Sequence, residues 1–302
     1  MLDILTKAGS YIAIIILGYV LRKVGFFGEE TFGVLSKITL KITLPAAIIS
    51  GFAGKQVDPA LISLSLIALG GGLTYIALGF LLERRGGKER QAFAMLNTAG
   101  YNIGNFTLPF VQSFLGPVGV ITTSLFDLGN GIICLGGAYS LASMVKDGSR
   151  FSLKRVGAAL GKSVPFLCHM LMLVMSLARI PIPGPVATLA EIIGNANAFV
   201  AMLMIGVGFR LTGDVSQLGR IAKILLVRYG LAAVVALGCW FLLPFEFEVR
   251  LALMILAFSP IASAAPAFTA ELKGDVGLAS ALNSVSILCS IAIILAILVI
   301  ML

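Results

Sequence analysis

The chain has 302 residues, of which 59% are hydrophobic and 12% are charged. Soluble domains are usually about 45–50% apolar and about 25% charged, so this composition excludes a soluble enzyme and a nucleic-acid-binding protein. The net charge of +8 therefore does not indicate a nucleic-acid partner, and we expect the basic residues to orient short loops at a lipid bilayer.

Apolar windows bounded by charged residues, Pro or Gly predict an all-α polytopic membrane protein, since one span needs about 20 mostly apolar residues. The loops between the windows are short, which excludes a large extramembrane domain. The ten predicted transmembrane helices, spans 1 to 10 below, are residues 5–24, 32–53, 60–82, 91–113, 118–143, 156–178, 187–209, 221–243, 249–270 and 276–302.

Lys and Arg concentrate in the loops that follow odd-numbered spans, as in residues 83–90 and 146–155 and at Arg210. Under the positive-inside rule these loops face the cytoplasm, and both termini are extracytoplasmic. We therefore expect a multi-pass protein of the plasma membrane, the inner membrane of a bacterium.

The two halves of the chain, residues 1–150 and 151–302, resemble each other weakly. Five spans in each half is an odd number, so the second half enters the membrane from the opposite side, as in the inverted repeats of secondary transporters. One common offset aligns Gly116 with Gly274, Asn102 with Pro260, and Asn105 with Ser263.

Spans 4 and 9 contain helix-breaking and polar residues at matching places. Proline removes a backbone donor, and lipid cannot satisfy the groups that a broken helix exposes. We therefore predict two broken helices that cross at a protein-lined substrate site; simple proline kinks between close-packed helices are the alternative. The residues assigned to this crossing are Asn102, Gly104, Asn105, Pro109, Pro260, Ser263 and Pro266.

The broken helices also suggest a ligand class. The N-terminal end of a half-helix carries partial positive charge and free N–H donors, which favour carboxylate groups. The amides of Asn102 and Asn105 can donate or accept hydrogen bonds without fixed charge. A small organic anion is the expected substrate.

Spans 5 and 10 carry polar stripes, formed by Asp127 with Asn130 and by Asn283 with Ser286. An ionised Asp at mid-membrane costs about 2.5–3.5 kcal/mol, so Asp127 should face the protein interior. Two roles remain open: a carboxylate that carries a proton or orients substrate, and an interhelical hydrogen bond that ties span 5 to the broken helices.

Two further polar residues lie within spans. Lys41 lies about 15 Å into span 2 at 1.5 Å per residue. It either supplies positive charge to the anion path, or pairs with Asp127, or snorkels to the membrane surface. His169, the only histidine, is expected to make a satisfied helix–helix hydrogen bond.

An ordered set of motifs resembles the auxin efflux carrier family, which includes bacterial malonate-transporter-like proteins and plant PIN-type carriers. The motifs are residues 17–26, Leu44-Pro45-Ala46, Asn102-Ile103-Gly104 with Pro109, and Pro260 and Pro266 followed by residues 274–280.

The resemblance implies a crossover fold shared with bile-acid sodium symporters. Spans 1, 2, 6 and 7 would form a scaffold, often with a homodimer contact, and spans 3–5 and 8–10 a transport domain that moves as an elevator. Substrates would be carboxylates such as dicarboxylates or auxin-like acids. The carried-over crossing residues are Asn102, Pro109, Pro260 and Pro266.

These observations predict a secondary active transporter of a small organic anion. Proton coupling is the favoured expectation, and a sodium-coupled symporter of the bile-acid type is the alternative. We expect no enzymatic activity, because Asp127 is the only clear deep Asp and there is one histidine, and we expect no cofactor or bound metal.

Overall fold

The computed structural model describes residues 2–209 and 217–302; Arg210 lies outside them. All regular structure in these residues is helical. The α-helices are α1 (Leu2–Lys23), α2 (Thr31–Ile38), α3 (Leu44–Phe52), α4 (Ser63–Leu82), α5 (Lys88–Thr98), α6 (Leu108–Ile132), α7 (Ala138–Asp147), α8 (Leu153–Lys162), α9 (Val164–Leu177), α10 (Gly184–Asn195), α11 (Asn197–Gly208), α12 (Leu218–Leu242), α13 (Phe247–Ala257), α14 (Ala265–Glu271) and α15 (Val276–Met301).

Four short segments extend these helices. Pro59–Ile62 forms a 3-10 turn before α4. Three π-helical segments, in which each backbone bond skips one residue more than in an α-helix, are Thr39–Thr43, Ile103–Thr107 and Ile133–Gly137.

Helical structure occupies each of the ten predicted ranges, and the protein is a multi-pass membrane protein. By length and apolar composition, seven helical runs can cross a bilayer, and the bent pair α8–α9 is an eighth. The run Lys88–Asp147 covers predicted spans 4 and 5, which a non-helical Gly116 separates (φ 56, ψ −143). The number of ten crossings stays a prediction.

Span 6 is not the continuous helix that we expected. The chain bends by 80° between α8 and α9, at Ser163, whose backbone is extended (ψ 107). The Ser163 hydroxyl accepts a hydrogen bond from the Phe166 N–H at 3.4 Å, and Pro165 occupies the first turn of α9. A serine cap followed by proline starts a new helix, because proline is readily accommodated only in the first turn of a helix.

The helices pack in two neighbouring groups. In the first, α1 lies along α11 and α3 packs against α9 and α10; in the second, α4 packs against α5 and α6, and α12 against α13. Contacts of α6 with α3 and α9 join the groups. Two buried apolar clusters, around Phe126 and around Phe106, contain residues of the interruption between α5 and α6, and a third contains Ile261, in the interruption between α13 and α14.

Gly129→Ala should destabilise the protein, because a Cβ atom there would collide with the Ser65 carbonyl of α4. Overpacking of this kind costs about 1–3 kcal/mol. Thermal unfolding in detergent should give a lower midpoint for Gly129→Ala. Gly70→Ala is the control, since its new methyl group meets open space; equal midpoints for both variants would show that α4 and α6 are not in close contact.

Candidate functional site

Two interrupted helices meet directly in the interior. Between α5 and the π-helical segment 103–107, the Asn102 N–H donates to the Pro260 carbonyl, in the gap between α13 and α14, at 3.0 Å. The Asn105 amide donates to the Ser263 hydroxyl, 158 residues away, at 3.2 Å. Both contacts join residues that the internal alignment of the sequence had paired.

Glycine is required at the first break. Gly100 has φ 72, in the left-handed region that favours glycine. A Cβ atom at this position would lie 2.5 Å from the Cys134 sulfur and 3.2 Å from the Ala262 Cβ. The two breaks approach as closely as they do because residue 100 has no side chain.

The Arg228 guanidinium, on α12, holds both breaks together. It is 1% exposed and donates to the carbonyl of Thr98. It also donates to the carbonyls of Gly100 at 2.8 Å and of Ser259 and Pro260 at 2.9 Å each. Carbonyls that the broken helices leave unpaired thereby gain a charged donor in a region where lipid offers none.

The surroundings of Arg228 are aromatic rather than acidic. Its guanidinium carbon lies 5.0 Å from the centre of the Tyr75 ring and 5.7 Å from that of Tyr101, within cation–π range. Among the described residues, no carboxylate oxygen lies within ion-pair distance of Arg228. Because arginine remains protonated in proteins, this charge is a fixed cation behind the crossing.

Polar side chains of α6 and α15 form hydrogen bonds with the backbone at the two breaks. Asn130 of α6 accepts from the Tyr101 N–H and donates to the Tyr101 carbonyl, at 2.9 Å each. Asn283 of α15 donates to the Ile261 carbonyl at 3.0 Å, and the Ser286 hydroxyl accepts from the Ile261 N–H at 3.1 Å. These three residues have a structural role at the crossing.

A cavity of about 400 Å³ opens beside the crossing. Each of the three π-helical segments contributes to its wall, and so does the bend between α8 and α9. Such segments are often found at functional sites. Of the residues predicted for the site, those that line this cavity are Lys41, Asn102, Gly104, Asn105, Asp127, Asn130 and Ser263.

The other predicted residues lie away from the cavity wall. Pro260 is in the second break, where its carbonyl accepts two of the bonds above, and Asn283 and Ser286 support that break from α15. Pro109 and Pro266 lie in the first turns of α6 and α14. A proline in a first turn removes no helical hydrogen bond, so the second break precedes Pro266 instead of being caused by it. Pro109 differs, because the π-helical segment 103–107 runs into α6 without a gap and places this proline within a continuous helical run.

Three polar groups on the cavity wall are available to a ligand. The Asn102 side-chain amide makes no hydrogen bond with the described residues. Lys41 and Lys162, at the end of α8, both line the cavity, and neither forms an ion pair with a described carboxylate. The pairing of Lys41 with Asp127 considered above is therefore absent.

Asp127 instead lies next to His169. Its Oδ2 is 3.4 Å from the His169 Nε2, and its Oδ1 accepts from the Asn130 amide at 2.7 Å. Both imidazole nitrogens lack a hydrogen-bond partner among the described residues. The expectation of a satisfied helix–helix hydrogen bond at His169 was wrong, because the contact with Asp127 lies outside hydrogen-bond geometry.

Arg228 and Lys162 were missed by the sequence analysis. Arg228 is a charged residue well inside span 8, whereas Lys223 lies near its start, and charged residues deep in a span are usually functional; its position alone could have identified it. Lys162 would have required knowledge of the bend at Ser163, which turns the end of α8 toward the cavity.

Comparison with known proteins gives one family match. The family described as "membrane transport protein" matches residues 5–153, a range that includes the first break, Lys41 and Asp127. No curated protein gives a significant match.

Arg228→Gln should strongly destabilise the protein. Hydrogen bonds from a charged donor contribute about 1.5–3 kcal/mol each, so losing several should cost at least about 3 kcal/mol. Arg228→Lys keeps the charge but not the planar fork of donors, and should recover only part of the loss. Thermal unfolding in detergent measures both variants.

The control for this prediction is Lys154→Gln on α8, where an exposed lysine forms no ion pair with a described carboxylate. Exposed charges of this kind contribute about 1 kcal/mol or less, so this variant should unfold near the wild-type temperature. Equal effects of Arg228→Gln and Lys154→Gln would contradict the role assigned to Arg228.

Proposed function

Since the chain belongs to the auxin efflux carrier family of membrane transport proteins, we propose that it carries a small organic anion, a carboxylate, across the bilayer by alternating access. Members of this family are secondary transporters, not enzymes. The substrate class, the motion and the coupling ion are our inferences from the cavity beside the crossing.

The main support for an anionic substrate is the charge distribution around that cavity. Lys41 and Lys162 line it without carboxylate partners, the Asn102 amide is free to bind a ligand, and Arg228 adds a fixed cation behind the crossing. The one carboxylate on the wall, Asp127, already accepts a hydrogen bond from Asn130 and lies beside His169. An anion therefore meets more unpaired positive than negative charge.

The remainder of the wall favours an organic anion over an inorganic one. Leu40, Leu44, Leu135 and Phe166 contribute apolar surface, and small-molecule sites combine such surface with a few polar groups that fix orientation. The first turn of the helix that begins at Ile103 also faces the cavity, and its N-terminal end favours negative charge.

An elevator motion is supported by the way the helices group. The first group also includes α2, which packs against α11, and α8, which packs against α9; it corresponds to the predicted scaffold. The second also includes α7, which packs against α5, and α14 and α15, which pack against each other and against α5; it corresponds to the predicted transport domain. The cavity lies between them, with Lys41 and Lys162 on one side and the crossing on the other. We propose that residues 1–150 and 151–302 are inverted repeats, and that the direct contacts between aligned residues mark their pseudo-symmetry axis.

The topology and assembly remain proposals of the same kind. The basic loops support a plasma-membrane protein with both termini extracytoplasmic, as expected for the inner membrane of a bacterium. We infer a homodimer contact on the scaffold from the family alone.

Asn102→Ala should reduce carboxylate affinity at least about tenfold, which corresponds to about 1.4 kcal/mol. The measurement is a thermal-shift titration of the full-length protein with acetate, benzoate, malonate, succinate and indole-3-acetate, followed by uptake of the best ligand into proteoliposomes. The exposed Asn195→Ala is the matched control. Uptake by Asn102→Ala equal to that of Asn195→Ala would refute the site, and the absence of any carboxylate response would refute the substrate class.

Uptake measured under imposed pH and sodium gradients identifies the coupling ion. We expect carboxylate uptake to follow an imposed pH gradient and to persist when sodium is replaced by choline. Asp127→Asn should abolish the response to the pH gradient while exchange of internal for external carboxylate continues. Uptake that requires sodium would instead favour a sodium-coupled symporter of the bile-acid type.

A further inference from the structure

His169 is the only histidine in the sequence, and it is buried where α9 meets α6. Its imidazole is 1% exposed, and neither ring nitrogen has a hydrogen-bond partner among the described residues. An unpartnered buried polar atom usually costs about 1–3 kcal/mol. A group held in this condition next to a carboxylate is suited to gain and lose a proton.

Asp127 connects this imidazole to the cavity and to the first break. Its Oδ2 lies 3.4 Å from the His169 Nε2, and the residue lines the cavity. Its Oδ1 accepts from Asn130, which in turn holds the Tyr101 backbone through two hydrogen bonds. A continuous set of polar contacts therefore runs from His169 to the crossing.

The other charged groups around His169 are basic. The elements packed against α9 are α3, α6, α8 and the segment 39–43. Among their described residues, α3 has no titratable side chain, and Arg155, near the start of α8, pairs with Glu271. On α9 itself, the Cys168 thiol donates to the Pro45 carbonyl at 3.6 Å. The remaining titratable groups on these elements are Asp127 on α6, which lies next to His169, Lys41 on the segment 39–43, and Lys154 and Lys162 on α8. Lys41 and Lys162 line the cavity that Asp127 also lines.

We propose that His169 and Asp127 together bind the proton that is transported with the anion; this inference rests on the function proposed above. With Asp127 ionised and His169 neutral, the pair has charge −1. A hydronium ion in the cavity gives one proton to the Nε2 or Oδ2 atom: one O–H bond of hydronium breaks, one N–H or O–H bond forms, a water molecule remains, and the pair becomes neutral.

The coupling follows from electrostatics. An anion in the cavity is repelled by the pair at charge −1 and is not repelled by the neutral pair. Anion and proton therefore favour each other's binding, and the coupling is reciprocal, as for any two linked ligands. We expect carboxylate affinity to be about tenfold higher at pH 6 than at pH 8, within the usual range of such couplings.

The two residues have different roles during transport. In the elevator motion, α6 moves with the crossing while α9 stays in the scaffold. The proton then travels on the Asp127 carboxyl group beside the anion. His169, which stays in the scaffold, exchanges the proton with Asp127 only in the state in which the two residues are in contact.

The direct test uses the single histidine as a spectroscopic probe. Full-length protein labelled with ¹⁵N- and ¹³C-histidine, in lipid nanodiscs and without ligand, gives one imidazole signal to follow by NMR between pH 5 and pH 9. We expect the chemical shift of this signal to change with pH, and that change to differ in Asp127→Asn, because the variant removes the carboxylate that shares the proton. The exposed Asp147→Asn, at the end of α7, is the matched control and should behave as the wild type. A signal that does not change with pH, or that changes identically in Asp127→Asn and the wild type, overturns the proposal.

A flux measurement separates this inference from the proposed function. In proteoliposomes, His169→Gln should lose the pH dependence of carboxylate uptake but keep carboxylate exchange, with folding verified by thermal unfolding. A titrating imidazole in a protein that moves no carboxylate contradicts the proposed function. Carboxylate transport in a protein whose imidazole signal does not change with pH contradicts only the role of the His169–Asp127 pair. Unchanged pH dependence of uptake in His169→Gln has the same meaning.

Discussion

The interior of this protein depends on the hydrogen bonds from Arg228 to the carbonyls of two broken helices. A bilayer offers no water to satisfy backbone groups, so an interrupted helix at this depth needs donors from the protein itself. One planar guanidinium supplies them to residues 98–100 and 259–260 at once. The two breaks are thereby joined to each other and to α12, and Gly100 permits their close approach.

The same interaction determines the electrostatics of the site. Arg228 is bonded to neutral carbonyls, so its charge is not cancelled by a carboxylate within ion-pair distance among the described residues. Lys41 and Lys162 add positive charge on the facing side of the cavity, and the Asn102 amide provides directional hydrogen bonding. The negative charge of Asp127 repels an anion in the cavity, and a proton on the His169–Asp127 pair would remove that repulsion. The anion recognition and the proton coupling that we propose thus depend on the same set of charges.

The sequence predicted the helical membrane fold, the family and the meeting of the breaks, because apolar windows, motif order and internal repetition are local signals. The aligned halves paired Asn102 with Pro260 and Asn105 with Ser263 as equivalent positions and predicted that spans 4 and 9 cross, but not that the paired residues touch. Pro266 was given too large a role as a helix breaker, since it fits into the first turn of α14, whereas Pro109 lies within the helical run that begins at Ile103. Arg228 and the Asp127–His169 contact depend on residues distant in the chain, and the cavity wall at Lys162 depends on a bend at Ser163; hydropathy describes neither.

The proposed function requires that the cavity beside the crossing binds an organic carboxylate. An experimental structure of the full-length protein with the carboxylate that most raises its unfolding temperature would show the binding site. We expect carboxylate density within hydrogen-bond distance of the Asn102 amide, in the space lined by Lys41 and Lys162. Carboxylate density in another cavity, such as the one lined by Arg90 and Lys273, with the crossing unoccupied, would contradict this expectation.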